Sequence, residues 1–263
     1  MRSTLVINFE KWDGNGNDFV IVNSIDSKIK LKKSFIKKIS DRNKGIGFDQ
    51  LIHVGLPTKD KSDFFIRFYN ADGNEAGMCL NGVRCASSYI WNNQFAPKKR
   101  LNIQTKYNNI KCNHNNDDVI VGIDKPKKID NKKLLKKLRK IIKEDFFLLN
   151  TGNNHLCIEM PFIEKVNLKK IYEDLYSLIK DDDFNLSIFD KKSENIKIRT
   201  YENGVGETLS CGSASLCVAS NILRKKNKVK VSSLGGCLSF RVYKDSILMS
   251  GPTNFSYKGN VNE

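Results

Sequence analysis

IRFYNADGNEAGMCLNGVRCASSYI, residues 66–90, and IRTYENGVGETLSCGSASLCVASNI, residues 198–222, decide how this chain is organised. Laid over one another without a gap, at the offset of 132 that separates Cys79 from Cys211, they are identical at eight of 25 positions, both cysteines of each stretch included. Chance is a poor account of two cysteine pairs in register. A weaker echo lies upstream, where Gly16-Asn17 opens GNDFVIV and Gly152-Asn153 opens GNNHLCI at almost the same offset. Self-similarity at a fixed offset is the mark of one structural unit used twice. Each copy reads as strand, loop, cysteine, helix.

Outward from these stretches, alternating or β-branched runs predict strands at 5–9, 19–23, 50–54, 64–69, 102–105, 119–123, 155–160, 196–201, 228–231, 237–242 and 247–250. Apolar spacing of three and four predicts helices at 33–43, 82–92, 132–143, 168–180 and 213–226. Strands outnumber helices, and Gly and Asn turns join many of them. The pattern is that of an α+β, or mixed α/β, chain with mixed sheets and a few packed helices.

The 263 residues suffice for one large domain or two ordinary ones. No apolar run approaches the ~18 residues a membrane span requires. The N-terminal apolar run before Glu10 is too short for a signal peptide, so a cytoplasmic location is expected. Seven cysteines, odd in number and scattered, do not make a disulfide framework. The net charge of +16 invites a nucleic-acid reading, but the lysines are spread along the whole chain. The densest run, KPKKIDNKKLLKKLRKIIKE at 125–144, places Leu134, Leu135, Leu138, Ile141 and Ile142 at helical spacing. That is an amphipathic surface helix with a solvated basic face. Neither a nucleic-acid nor a membrane partner is expected. The charge would steer acidic small molecules towards the protein.

The first cysteine of each copy precedes a helix. Asn81 and Ser213, two residues on, are good N-cap types. A thiol there meets free backbone N–H groups and the positive end of the helix dipole, which favour its thiolate. The same N–H groups suit a bound carboxylate. Cys85 and Cys217, six residues further, turn to another face at ~100° per residue and read as small core residues. Cys-x5-Cys is poor zinc spacing, and His53, His114 and His155 show no helical pairing, so no metal is expected. A single cysteine nucleophile partnered by His155 is possible but leaves the repetition unexplained. Two matching half-sites suggest two-base chemistry, with one thiolate removing a proton from a carbon and one thiol returning it on the opposite face. Helix N-termini would stabilise charge developing on an adjacent carboxylate. Nothing suggests pyridoxal phosphate.

At these residues the chain resembles the diaminopimelate epimerase family of cofactor-independent racemases. KWDGNGNDFVIV (11–22), DRNKGIGFDQLI (41–52), YNADGNEAGMCLNGVRC (69–85), TGNNHLCI (151–158), YENGVGETLSCGSAS (201–215) and LGGCLSF (234–240) come in the family's order and roughly its spacing, over almost the whole chain. The resemblance implies two pseudo-symmetric domains, each a curved mixed sheet around a helix, with boundaries near 1–115 plus 252–263 and 116–251. It implies interconversion of LL- and meso-2,6-diaminopimelate, a step in lysine and peptidoglycan precursor synthesis, with no cofactor and no metal. It makes Cys79 and Cys211 the acid/base pair, with His155 and Glu202 tuning them. Substrate contacts fall on Asn17, Gln50, Asn70, Leu80 and Asn81, and on Asn153, Asn185, Glu202, Asn203, Gly212 and Ser213. Tyr257 matches a dimer-interface position, so a homodimer is expected. Three positions depart from the family's pattern. Leu80 replaces a glycine and is expected to crowd its loop, Asn154 replaces a proline, and Asn203 replaces an arginine that grips the substrate's distal carboxylate. Asparagine cannot form that charged bidentate pair. The departure raises an alternative substrate on the same scaffold, histidine for instance, and a non-catalytic basic RNA-binding relative is the alternative from another class.

Overall fold

A computed structural model describes residues 5–26, 29–115, 118–191 and 195–263. The chain divides into two compact units, one of residues up to Gly122 together with Ser250–Glu263, the other Ile123–Met249. In chain order the first holds β1 (Val6–Gly14), β2 (Asn17–Ser24), α1 (Lys33–Ser40), β3 (Gln50–Gly55), β4 (Phe64–Asn70), β5 (Glu75–Ala76), α2 (Leu80–Asn92), β6 (Arg100–Gln104) and β7 (Asn109–Asn115). β8 (Asp118–Asp124) forms a hairpin with β7, which keeps the chain with the first unit as far as Gly122. The second holds β9 (Lys127–Lys128), α3 (Lys132–Ile141), β10 (Phe146–Asn150), β11 (Asn154–Glu159), α4 (Leu168–Ile179), β12 (Asn185–Asp190), β13 (Asn195–Glu202), β14 (Gly206–Thr208), α5 (Gly212–Ile222), β15 (Lys228–Ser233) and β16 (Gly236–Tyr243). β17 (Ser246–Pro252) leads to β18 (Asn254–Asn262), which returns to the first unit.

The repeat seen in sequence is a repeat of topology. In the first unit β1–β2 are antiparallel, β2–β3 parallel, β3–β4 antiparallel, β4–β6 parallel and β6–β7 antiparallel, with short β5 on β4. In the second, β10–β11, β11–β12, β12–β13, β13–β15 and β15–β16 follow the same sequence of directions, with β14 on β13. α1 and α4 occupy the same step of the two patterns, as do α2 and α5.

The central helix of each unit is apolar or small on nearly every side, as a helix enclosed by its own sheet must be. α2 packs on β1, β2, β3 and β4 and buries every residue from Leu80 to Trp91 except Ser88. α5 packs on β11, β12, β15 and β16. Both helices carry several small residues, Cys, Ala and Ser, and the inner cysteines Cys85 and Cys217 are 0% exposed. α1 covers the outer face of the first sheet through Phe35, Ile36 and Ile39. α3 and α4 cover the second through Leu134, Leu138, Leu168 and Leu175. Ile141, expected on the buried stripe of α3, is half-exposed because the helix ends there, and Ile142 turns inward in its place.

Both central helices begin earlier than expected, and their caps are not Asn81 and Ser213. The cysteines themselves are the N-caps, with extended backbones at φ −136°, ψ 115° for Cys79 and φ −123°, ψ 108° for Cys211. The Sγ of Cys79 accepts the Gly82 N–H at 3.4 Å, the bond a serine or asparagine cap would make. Leu80 does not crowd a loop. It is the first helical residue, with no positive φ, and its side chain is buried. α5 also stops at Ile222, short of the expected 226. No helix of the described residues is long and apolar enough to cross a membrane.

Candidate functional site

Each unit gathers the same kind of polar group at the same place, where the ends of two parallel strands meet the start of the central helix. In the first unit, β2 begins at Asn17, β3 at Gln50, and β4 ends at Asn70. The register puts Gln50 beside Phe19 and opposite Asn70. Gln50 Nε2 donates to Asn70 Oδ1 at 2.9 Å, and the buried Asn81 donates through Nδ2 to Asn17 Oδ1 at 2.6 Å. Asn81 Oδ1 has no hydrogen-bond partner among the described residues. Asn17 and Asn81 thus form one amide pair at the first turn of α2, next to Cys79 in sequence, and Gln50 and Asn70 a second pair where β3 begins and β4 ends, while the Leu80 side chain is buried.

An ion network fixes that end of the sheet. Asp18 receives Lys11 Nζ at 2.6 Å and both terminal nitrogens of Arg42, at 3.0 and 2.7 Å. Arg42 also reaches Asp49 at 2.8 Å, and Asp49 accepts Asn17 Nδ2 at 3.2 Å. Burial pushes the Asp18 carboxyl up, but the hydrogen bonds and charges of Arg42 and Lys11 outweigh it and hold its pKa at about 2.

In the second unit, β11 begins at Asn154, one residue after Asn153, β12 at Asn185, and β13 ends at Glu202. Asn185 Oδ1 accepts the Asn203 N–H at 2.9 Å, and Glu202 Oε1 accepts Thr208 Oγ1 at 2.7 Å. Cys211 Sγ lies 3.3 Å from Ser213 Oγ. A cavity of about 500 Å³ opens here, lined by Gly152, Asn153, Asn154, Asp182, Asp183, Asn185, Glu202 and Asn203. Sequence reasoning found four of these eight. It missed Asp182 and Asp183, whose only signal was an acidic triplet before the apolar run of β12. Asn203, expected to be a weak substitute for a cation, is engaged at both ends. Its Oδ1 accepts Tyr172 Oη at 2.8 Å and its Nδ2 donates to Asp183 Oδ1 at 2.9 Å.

His155 is 0% exposed, and neither ring nitrogen has a partner among the described residues. Burial lowers its pKa to about 4, so the imidazole is neutral at physiological pH. Burial also pushes the thiols of Cys85 and Cys217 up, which keeps both inner cysteines protonated. The outer cysteines differ: Cys79 is partly exposed, and Cys211, at its helix start, is buried with 8% of its surface exposed. No group of three metal-ligating side chains occurs among the described residues. Tyr257 lies on β18, half-exposed, with its ring edge-on to Phe9 at 6.1 Å.

The sheet topology has relatives among solved structures. A phenazine biosynthesis protein of the PhzF family from Bacillus anthracis superposes with a TM-score of 0.70 over 98% of this chain and 99% of that one, at 17% identity. In sequence, a diaminopimelate epimerase of Blochmanniella pennsylvanica is 30% identical, over 97% of this chain and 99% of its own length. A diaminopimelate epimerase of Buchnera aphidicola is 33% identical, over 97% and 96%. The family model for diaminopimelate epimerase matches residues 9–129 and 147–256. With the sequence match running through both copies of the repeat, the chain belongs to the diaminopimelate epimerase family.

Proposed function

We propose that this protein interconverts LL- and meso-2,6-diaminopimelate in the cytoplasm, moving a proton at the α-carbon between Cys79 and Cys211 without a cofactor. The observation that supports this reading is the duplication of one device: a cysteine at the N-cap position of the central helix of its unit, beside strand-end amides. Two acid/base groups of one kind, one to each face of a carbon, are suited to inverting a stereocentre in both directions. One sulfur, as thiolate, takes the α-proton. The other, as thiol, gives one to the opposite face, and the roles exchange in the reverse direction. The backbone N–H groups of Leu80 and Asn81, and of Gly212 and Ser213, bind the α-carboxylate, where negative charge builds as the proton leaves. Asn17, Gln50, Asn70, Asn153, Asn185, Glu202 and Asn203 hold the rest of the substrate. His155 and Glu202 set the protonation of the thiols. The half-exposed aromatics of β18, Tyr257 among them, are the contact through which two copies pair.

The test is exchange of the α-hydrogen in deuterated water, with LL-diaminopimelate as substrate. Wild type exchanges it and forms the meso isomer. Cys79→Ala and Cys211→Ala each lose interconversion by about three orders of magnitude or more, the scale of removing an essential acid or base. Turnover that survives Cys79→Ala but not Cys85→Ala would show that the sulfurs are misassigned.

A further inference from the structure

The cavity of the second unit has a charge character that bears on the far end of the substrate, and the inference drawn from it rests on the epimerase reading above. Three acidic residues line the cavity, Asp182, Asp183 and Glu202, and no Lys or Arg does among the described residues. The lining amides are largely committed within the protein. Asn154 accepts Asn150 Nδ2 at 2.6 Å and donates to the Asp182 carbonyl at 2.7 Å. Asn203 is tied between Tyr172 and Asp183. Asn185 spends its oxygen on the Asn203 backbone. Behind the lining, His155 pairs with Asn185 in the parallel register and is wholly buried, with neither ring nitrogen partnered among the described residues. A buried polar group of that kind calls for a water or a ligand beside it.

A carboxylate entering this cavity meets three like charges and no cation, which is unfavourable at short range. An ammonium meets charged acceptors and forms charge-assisted hydrogen bonds. Diaminopimelate ends in both groups, so only its ammonium is well matched here. We propose that the cavity recognises the distal ammonium of its substrate rather than a distal carboxylate, and that the enzyme therefore also racemises 2,6-diamino monocarboxylates, lysine being the simplest. Lysine keeps the amine at the same distance from the α-carbon and lacks the second carboxylate. The reaction is the same proton removal and return at the α-carbon, so it needs no additional reactant. Asp183 is the anchor. It stands in a left-handed turn at φ 50°, and the Asn203 amide holds its carboxylate in place.

The experiment offers the full-length protein LL-diaminopimelate and, separately, L-lysine in deuterated water. Loss of the α-proton resonance is followed for each, and chiral chromatography measures D-lysine. The expected result is exchange of both, with kcat/KM for lysine within about 100-fold of that for diaminopimelate, or two tenfold steps of 1.4 kcal/mol. Exchange of diaminopimelate with none of lysine overturns the inference and leaves the epimerase reading standing. Exchange of neither overturns the reading itself. Two variants test the residues. Asn203→Arg should shift the ratio of the two kcat/KM values towards diaminopimelate by about tenfold or more, and Asp183→Asn should lower lysine turnover by a similar factor, the scale of one charged hydrogen bond. Circular dichroism reports whether the variants fold, and the ratio of substrates separates specificity from general damage. If both variants change the two substrates equally, Asp183 and Asn203 do not set specificity and the inference is wrong.

Discussion

At the scale of single residues, identical side chains acquire different properties from their surroundings. The four cysteines of the repeat are two cap residues and two core residues, and position along one helix makes the difference. His155 shows the same dependence. Its folded pKa, lowered by burial to about 4, lies below the ordinary 6.5. The unfolded chain therefore takes up a proton that the folded chain refuses. Stability should be highest above pH 6.5 and should fall as the pH drops from there towards 4. The contribution is roughly 3 kcal/mol at most, on the scale of 1.36 kcal/mol per pKa unit. His53, lowered by burial and by the charge of Arg67, acts in the same direction. Urea unfolding of His155→Gln between pH 7 and 4.5 should show a shallower loss than wild type, with the His53 share remaining. An unchanged slope would mean that His155 takes up its proton without unfolding. Asp18 works at a different pH. Its depressed pKa gives stability present above about 3.8 and lost as the pH falls towards 2, so the two effects separate on the pH axis.

At the scale of elements, the approach of α2 to its sheet positions the Cys79 sulfur. Gly82, in the first turn, makes this approach possible: a Cβ there would lie 2.7 Å from Phe68 Cε1 and 3.3 Å from both Ile52 Cδ1 and Phe19 Cε1. The same residue supplies the N–H that Cys79 Sγ accepts. Gly82→Ala, usually favourable in a helix, should here destabilise the protein by about 1–3 kcal/mol through overpacking. It should also reduce activity in the protein that remains folded, since the cap moves with the helix. Thermal unfolding and turnover per folded molecule check the two parts, and a stabilised, fully active variant would refute the tight approach. The elements that sequence patterns missed, β10, β12 and β18 among them, have two causes. FFLLN and NLSIFD are short and buried on both faces, so they lack the alternation that marks a half-buried strand. β18 is exposed along most of its length and reads as polar tail.

At the scale of the whole molecule, the first unit is built from two distant pieces of chain. β1 pairs with β2 on one side and with β18 on the other, across a register that runs from Val6↔Asn262 to Asp13↔Asn254. Trp12 and Phe255 stack edge-on at 5.6 Å within it. Removing residues 253–263 should expose the edge of β1 and weaken the first unit, while the core of the second, contiguous in sequence, is untouched. Amide hydrogen exchange should then rise across β1 and β2 and stay level across β11 to β13. A uniform rise would mean that the two units unfold as one.

The sequence alone determined the duplication, the pairing of cysteines at matching positions and the family, because these are matters of residue identity and spacing along one chain. Eleven strands and five helices were legible for the same reason, their apolar periods being local. What only the tertiary structure decided are properties set by groups far apart in sequence. The cysteines rather than Asn81 and Ser213 stand at the N-cap positions, and at Cys79 the turn brings the Gly82 N–H back to the sulfur. Asp182 and Asp183 belong to the cavity because the loop before β12 meets the end of β13. Asn203, in sequence only a lost arginine, proves to be the partner of Tyr172 and Asp183. Spacing identifies which groups a chain carries, whereas the charge a ligand meets is a sum over neighbours in space, and that sum exists only once the strands have paired.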